Sequence, residues 1–270
     1  LNTSTDYIIK LPSTPLTKDG GVFLNGGRNI VLIGGEVRFD NPLASGDPDW
    51  YHRGLYIKNA TGTVHIEGLK IAGTYLKEGV NIDCRDPNTI IQIQNVWVGT
   101  VKGSYSTNHA DCLQTWGGPS QLRIDHFTGY TNYQGFFLNP AQYTGVVPDL
   151  FDFRNINTRF DGISAYHFWL SGPQFPIHID NVWADHYSGS YWPSGVLWPQ
   201  NDPIWGDVQE GIPPGGDMVT TNVGLGYVSP GYKAVSSFVF NDFADVSELN
   251  LQGSAIQSAS DSLQLTWGSR

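Results

Sequence analysis

No apolar run in these 270 residues is longer than a short strand, which excludes a membrane-spanning helix. Positive charge is scarce as well. Fifteen Lys and Arg against 25 Asp and Glu leave a net charge of −10, which argues against nucleic acid as a partner. The same balance disfavours a polyanionic ligand at long range, unless a local cationic patch or a bound metal overrides it. There are only two cysteines, Cys84 and Cys112. In the repeat described below they sit about five residues apart along neighbouring strands, roughly 16 Å at the strand rise, too far for a disulfide. Both are expected to be free thiols, with Cys112 filling a small-residue position. No apolar leader opens the chain at Leu1, as expected of a trimmed mature or a recombinant product, and the protein is expected to be secreted. No low-complexity linker divides it, so one domain is expected.

Glycine is abundant by contrast, at 32 residues, with 16 Pro and many Asn, Thr and Ser, which suits a turn-rich β protein better than a helical one. Nine Trp and 13 Tyr supply surfaces for stacking, and sugars are one ligand that uses them. Packing of the fold itself is the competing use of any single ring.

Asp111-Cys112-Leu113-Gln114-Thr115-Trp116 organises the chain, because six other stretches repeat its pattern. They are Gly20 to Leu24, Arg53 to Ile57, Glu78 to Ile82, Gln134 to Leu138, Asp161 to Ala165 and Ser194 to Leu197. Each has a glycine in second place (Cys112 in the quoted copy), then an apolar residue, then an alternating strand. The second places fall at 21, 54, 79, 112, 135, 162 and 195. Repeats at such a period mark a solenoid, whose units bury their apolar faces only by stacking.

A second register runs about nine residues later. Its clearest copies are Val64 to Leu69, Ile91 to Val96 and Ile177 to Val182. The fifth place of this pattern holds Gly34, Gly68, Asn95, His126, Asn155 and Asn181, residue types that tolerate a left-handed backbone. A tight bend on every coil is therefore expected there.

Two strands joined by a short bend, then a third reached by a longer loop, make the coil of a right-handed parallel β-helix. Over residues 20–197 the chain resembles the pectate-lyase-like β-helix superfamily, in coil pattern rather than in catalytic signature. The expected fold is thus all-β, a single solenoid with residues 1–19 as a capping lead-in and 20–199 as regular coils. Residues 200–270 are read as irregular coils and a C-terminal cap, with a long loop from Gln200 to Gly216 and the bend pattern again at Phe238 to Phe243.

Alternation points Gln114 and Trp116 outward if Leu113 points inward. One outer column then reads Tyr56, Asn81, Gln114, Phe137, Ser164, and the next Lys58, Asp83, Trp116, Asn139, Tyr166. Ahead of the glycines lies a row of Arg53, Glu78, Asp111, Gln134 and Asp161. Strict alternation would turn that row inward, and a bulge at the glycines would turn it out. Polar residues on an outer face need no function beyond solubility. The mixture of aromatic, amide and ionisable groups, with His109 on a long loop returning into Asp111, reads as a ligand groove.

The resemblance implies an extended polysaccharide or oligosaccharide as partner, cleaved by β-elimination or hydrolysis. The Gly-His-Gly and Arg-Ile-Lys stretches of polygalacturonase-type hydrolases are absent, and Arg123-Ile124-Asp125-His126 falls on a strand and its bend, where a structural role fits it. The assignment of roles therefore rests on chemistry. Asp111, His109, Asp83 and Asp161 are the catalytic candidates. Arg53, Lys58, Asn81, Gln114, Trp116, Phe137 and Tyr166 are the candidates for holding substrate. Elimination from a uronate needs its carboxylate neutralised, by Arg53 and Lys58 or by a calcium ion on Glu78, Asp83 and Asp111, with His109, Lys58 or Tyr166 as base or acid. Hydrolysis needs two carboxylates, and Asp111 and Asp161, two coils apart, would be about 9.6 Å from each other at the backbone. A non-catalytic glycan-binding module and a purely structural solenoid, of which outward Trp97 and Trp183 are a sign, are the other readings.

Overall fold

A computed structural model describes residues 1–12, 14–143, 145–162 and 166–219, and the backbone of a short antiparallel ribbon, 250–251 with 254–255. The described chain is a parallel β-solenoid of about six turns. Each turn contributes one strand to a front sheet and one, sharply bent, to a second sheet that we call the bent sheet.

The front sheet contains β2 (Val22–Asn25), β5 (Arg53–Lys58), β8 (Glu78–Asp83) and β10 (Asp111–Gly117). It continues through β12 (Gln134–Leu138), β14 (Phe168–Leu170) and β16 (Leu197–Trp198). The bent sheet begins with β1 (Tyr7–Lys10), β3 (Ile30–Ile33) and β6 (Thr63–Glu67), with β4 (Glu36–Arg38) and β7 (Lys70–Ala72) beyond the bend. From β9 (Ile90–Val101) onward, through β11 (Gln121–Thr131), β13 (Leu150–Phe160) and β15 (Ile177–Asp185), one strand runs through the bend; β17 (Val208–Glu210) closes the sheet.

The bend column forms as its residue types require. Gly34, Gly68, Asn95, His126, Asn155 and Asn181 all have positive φ, between +49° and +74°. Side chains other than glycine, asparagine, aspartate and histidine enter that region at a cost of about 1 kcal/mol or more. The bend sets the two halves of each long strand at an angle and so closes the coil around the core.

Leu55, Val80, Leu113 and Phe136 stack in parallel register and are fully buried. In the later coils the interior is aromatic, Phe136 lying edge-on to Phe127 at 5.2 Å and to Phe153 at 5.7 Å. The second-place column lines a corner where the front sheet meets the bent one, and size is matched across it. A methyl group on Gly54 would meet Ile71 at 2.3 Å, and one on Gly79 would meet Val98 at 2.9 Å. Where the opposite residue is Gly129, the column can hold Cys112.

Two boundaries differ from the sequence reading. The ladder starts at β1, where Tyr7 pairs with Ile30, so part of the expected lead-in is already a coil. Within the expected loop from Gln200 to Gly216, Val208 to Glu210 pair with β15. The bend-like stretch at Phe238 to Phe243 lies outside the described residues.

Cys84 and Cys112 are free and buried. Burial pushes the Cys84 thiol up to about 12, and burial followed by the Asp111 charge raises Cys112. A thiol reagent at pH 8 is therefore expected to leave the native protein unlabelled and to label both cysteines in denaturant. Labelling of either one in the native protein would show that the coil opens there.

Candidate functional site

In the row ahead of the second-place column only Arg53 reaches the outer face, while Glu78, Asp111 and Gln134 are buried. Arg53 pairs with Glu78 and Asp111 with Gln134 across neighbouring strands. The Arg53 guanidinium lies 4.8 Å from the Tyr56 ring and 5.0 Å from that of Trp116, both on the outer face. Its Nε donates to Glu78 Oε2 at 3.0 Å.

Trp116 departs from its expected column. The register between β8 and β10 shifts at Thr115/Gly117, so Gly117, not Trp116, is opposite Asp83. The indole leans back two strands to an edge-on contact with Tyr56 at 5.6 Å. Asn81 lies on the strand between them and is fully buried; Gln114, which accepts from Asn81 Nδ2 at 3.1 Å, is nearly so. These two amides, expected to touch substrate, instead form a floor beneath aromatic cover.

Asp111 is fully buried, and neither carboxylate oxygen has a hydrogen-bond partner. Burial first, and the Glu78 charge second, raise its pKa well above the ordinary carboxylate range. Tyr133 is raised by burial and then by the Asp111 charge. His109 sits between the rings of Tyr105 and Tyr133, at 5.7 and 5.6 Å, with Nε2 3.1 Å from the Tyr105 carbonyl oxygen. These groups belong to the loop that returns from β9 into β10 and to the turn ahead of β12. They gather at the Asp111 end of the front sheet.

The calcium reading fails on the same geometry. Arg85 grips Asp83 with two bonds of 2.7 and 3.1 Å, and Lys58 Nζ lies 3.8 Å away. Glu78 is taken by Arg53. Among the described residues no three His, Cys, Asp or Glu converge to hold a metal ion.

Asp161 and Tyr166 were placed by a register that does not form. The strand beside β12 is β14, with Phe136 opposite Phe168, so the copy sought at Asp161 to Ala165 falls five residues early. Ile163, Ser164 and Ala165 lie outside the described residues. Asp161 sits at the end of β13, in the bent sheet, where its Oδ2 accepts from Thr100 Oγ1 at 2.5 Å. A hydrolytic pair of Asp111 and Asp161 is thereby removed. Tyr166 instead takes the row position beside Gln134, its carbonyl accepting from Gly135 N at 3.1 Å. His167 takes the second-place column, donating or accepting with Thr158 Oγ1 at 2.8 Å, and burial followed by the His186 charge pushes its pKa down to about 3. The last copy slips by one residue, since Leu197 rather than Val196 pairs with Phe168.

The corrected register exposes what the sequence reading missed. One outer column runs the length of the front sheet as Phe23, Tyr56, Asn81, Gln114, Phe137, Trp169 and Trp198. Its two ends are aromatic. Phe23 stacks on Tyr56 at 5.0 Å, while Phe137 and Trp169 meet edge-on at 5.3 Å and Tyr166 joins Trp169 at 5.2 Å. Tyr56 and Phe137 lie three strands apart, roughly 14 Å at the usual strand spacing. Cationic groups border the first cluster, with the Arg53 guanidinium 4.8 Å and Lys58 Nζ 5.8 Å from the Tyr56 ring. No family model matches the chain, and no curated protein or solved structure matches it either.

Proposed function

We propose that this protein binds an extended, acidic polysaccharide along the outer face of the front sheet. The observation that carries the reading is the seven-residue column with an aromatic cluster at each end. Ring faces and edges spaced at the strand repeat suit successive sugar rings of one chain, whose C–H faces pack on them. Arg53 and Lys58 beside Tyr56 supply charge for uronate carboxylates at that end. On this reading the protein acts outside the cell, where such polymers are met, and its coil belongs with the pectate-lyase-like solenoids.

Cleavage by β-elimination is the second reading, and the Asp111 cluster is what favours it. A buried carboxyl raised by a neighbouring carboxylate is a recurrent feature of catalytic sites. Arg53 would neutralise the uronate, His109 would take the C5 proton, and Tyr133, which keeps its own proton, would give one to the leaving oxygen as the C4–O bond breaks. Asp111 would have to be uncovered to touch substrate, so it takes no step in this scheme, and burial is the first cause that keeps Tyr133 protonated.

Binding and cleavage are read separately. Titration calorimetry against acidic and neutral polysaccharides is expected to show binding that Trp169→Ala and Tyr56→Ala each weaken about tenfold, the worth of one lost aromatic contact. If neither substitution changes the affinity for any polymer that binds, the front face is not the track. Absorbance of unsaturated products in the same mixtures decides whether bound polymer is cut.

A further inference from the structure

A second site lies on another face of the coil, and its argument does not depend on the front sheet. The outer face of the bent sheet beyond the bend carries a cavity of about 400 Å³, floored by β7 and β9 and walled by the loops that hold Asp40 and Asp161. Lys70 pairs with Trp97 in the ladder, so both point out of the sheet into it.

Trp97 is set in an unusual way. Two residues further along the same strand and on the same face is Gly99, where an added methyl group would meet the far edge of the indole at 3.1 and 3.2 Å. The missing side chain lets the indole lie down along the sheet instead of standing off it. The indole then forms part of the cavity lining. Lys70 Nζ sits 5.9 Å from that ring, and Tyr130 flanks it at 5.9 Å on the next coil.

The charges around the ring are mostly spoken for. Lys70 is paired to Glu36 at 3.2 Å, and Arg38 lies between Glu36 and Asp40. Asp161 accepts from Thr100. Lys102, which also lines the cavity, makes no ion pair among the described residues. Three cations and two carboxylates line the cavity, and Glu36 behind Lys70 and Arg38 evens the balance, so Lys102 is the lining cation without an ion pair among the described residues.

We propose that this cavity binds a single uronate residue of an acidic glycan, its ring stacked on Trp97 and its carboxylate received by Lys102. A flat indole suits the apolar face of a pyranose, and an ammonium without an ion-pair partner attracts one added negative charge. Neutral sugars would gain the stacking but leave Lys102 unmatched.

The test is an NMR titration of the full chain that follows the tryptophan indole N–H signals, with the Trp97 signal identified by its loss in Trp97→Phe. A uronate trisaccharide is expected to shift that signal, and its carboxyl-reduced, neutral counterpart to do so with roughly tenfold weaker affinity, about 1.4 kcal/mol. Lys102→Ala is expected to abolish the preference while the signal still moves. Trp169→Ala, on the front sheet, is expected to leave the Trp97 titration unchanged whatever happens to binding there. A Trp97 signal that stays still at millimolar trisaccharide would overturn the site. Equal affinity for the two sugars in the wild type would overturn the assignment of its ligand class.

Discussion

Asp111→Asn is expected to stabilise the protein, and to stabilise it more the higher the pH. The carboxyl is fully buried and both its oxygens are unpartnered, with the Glu78 charge adding to the cost of ionising it. Its folded pKa therefore lies well above the unfolded value of about 4. Between those two values the folded state holds a proton that the unfolded state has lost, so stability falls as pH rises, by about 1.4 kcal/mol per pH unit. Below about pH 4 both states are protonated and the asparagine, near in shape, is close to neutral in effect.

His167 has the opposite sign. Its folded pKa is near 3 against an ordinary value of 6.5, so between these the unfolded state binds the extra proton and stability rises with pH. From about pH 4 to 6.5 the two slopes oppose each other in the wild type. Asp111→Asn unmasks the histidine limb and removes the alkaline loss. Urea unfolding of both proteins from pH 4 to 9 checks this. A stability difference that does not widen with pH would mean that Asp111 is hydrated or paired in solution. Stabilisation joined to lost polymer cleavage would instead mark a carboxyl kept at a cost to the fold, as functional groups often are.

The parts of this structure that were legible in the sequence are those where the backbone itself restricts the residue. Asn95, Asn155 and Asn181 stand out because few side chains accept positive φ, and Gly54, Gly79 and Gly135 because two coils meet there without room for Cβ. The same reasoning explains the failures. Gly162 followed by an apolar residue imitates the corner signature, whereas the true corner residue is His167, whose ring meets Thr158 Oγ1 of the neighbouring coil at 2.8 Å. Nothing local distinguishes the two, because the match is made with the neighbouring coil. From that slip follow the misplacing of Asp161 and Tyr166 and the overlooked Trp169 and Trp198. The burial of Asp111 and Asn81 depends on a returning loop and on a shifted indole, and neither leaves a period in the sequence.

Gly79→Ala is expected to be strongly destabilising although it adds only one methyl group. The added methyl group would lie 2.2 Å from the Cys112 carbonyl oxygen and 3.0 Å from its carbonyl carbon. Both atoms are backbone of the next coil, so relief means parting β8 from β10 where their ladder begins. Val98, at 2.9 Å, blocks retreat toward the core. Overpacking of side chains alone costs about 1–3 kcal/mol, and a backbone collision belongs at or beyond the upper end of that range. Gly135→Ala meets the His167 carbonyl at 2.3 Å and should behave alike. Gly54→Ala should be milder, since its nearest obstacle is the Ile71 side chain, which can shift more readily than backbone. Gly215→Ala, with nothing within 4 Å, serves as the neutral control. Thermal and urea unfolding of the four variants give the order directly. If Gly79→Ala lost no more stability than Gly215→Ala, the coils would not pack at this corner as closely as described, and the size matching that admits Cys112 opposite Gly129 would lose its physical basis.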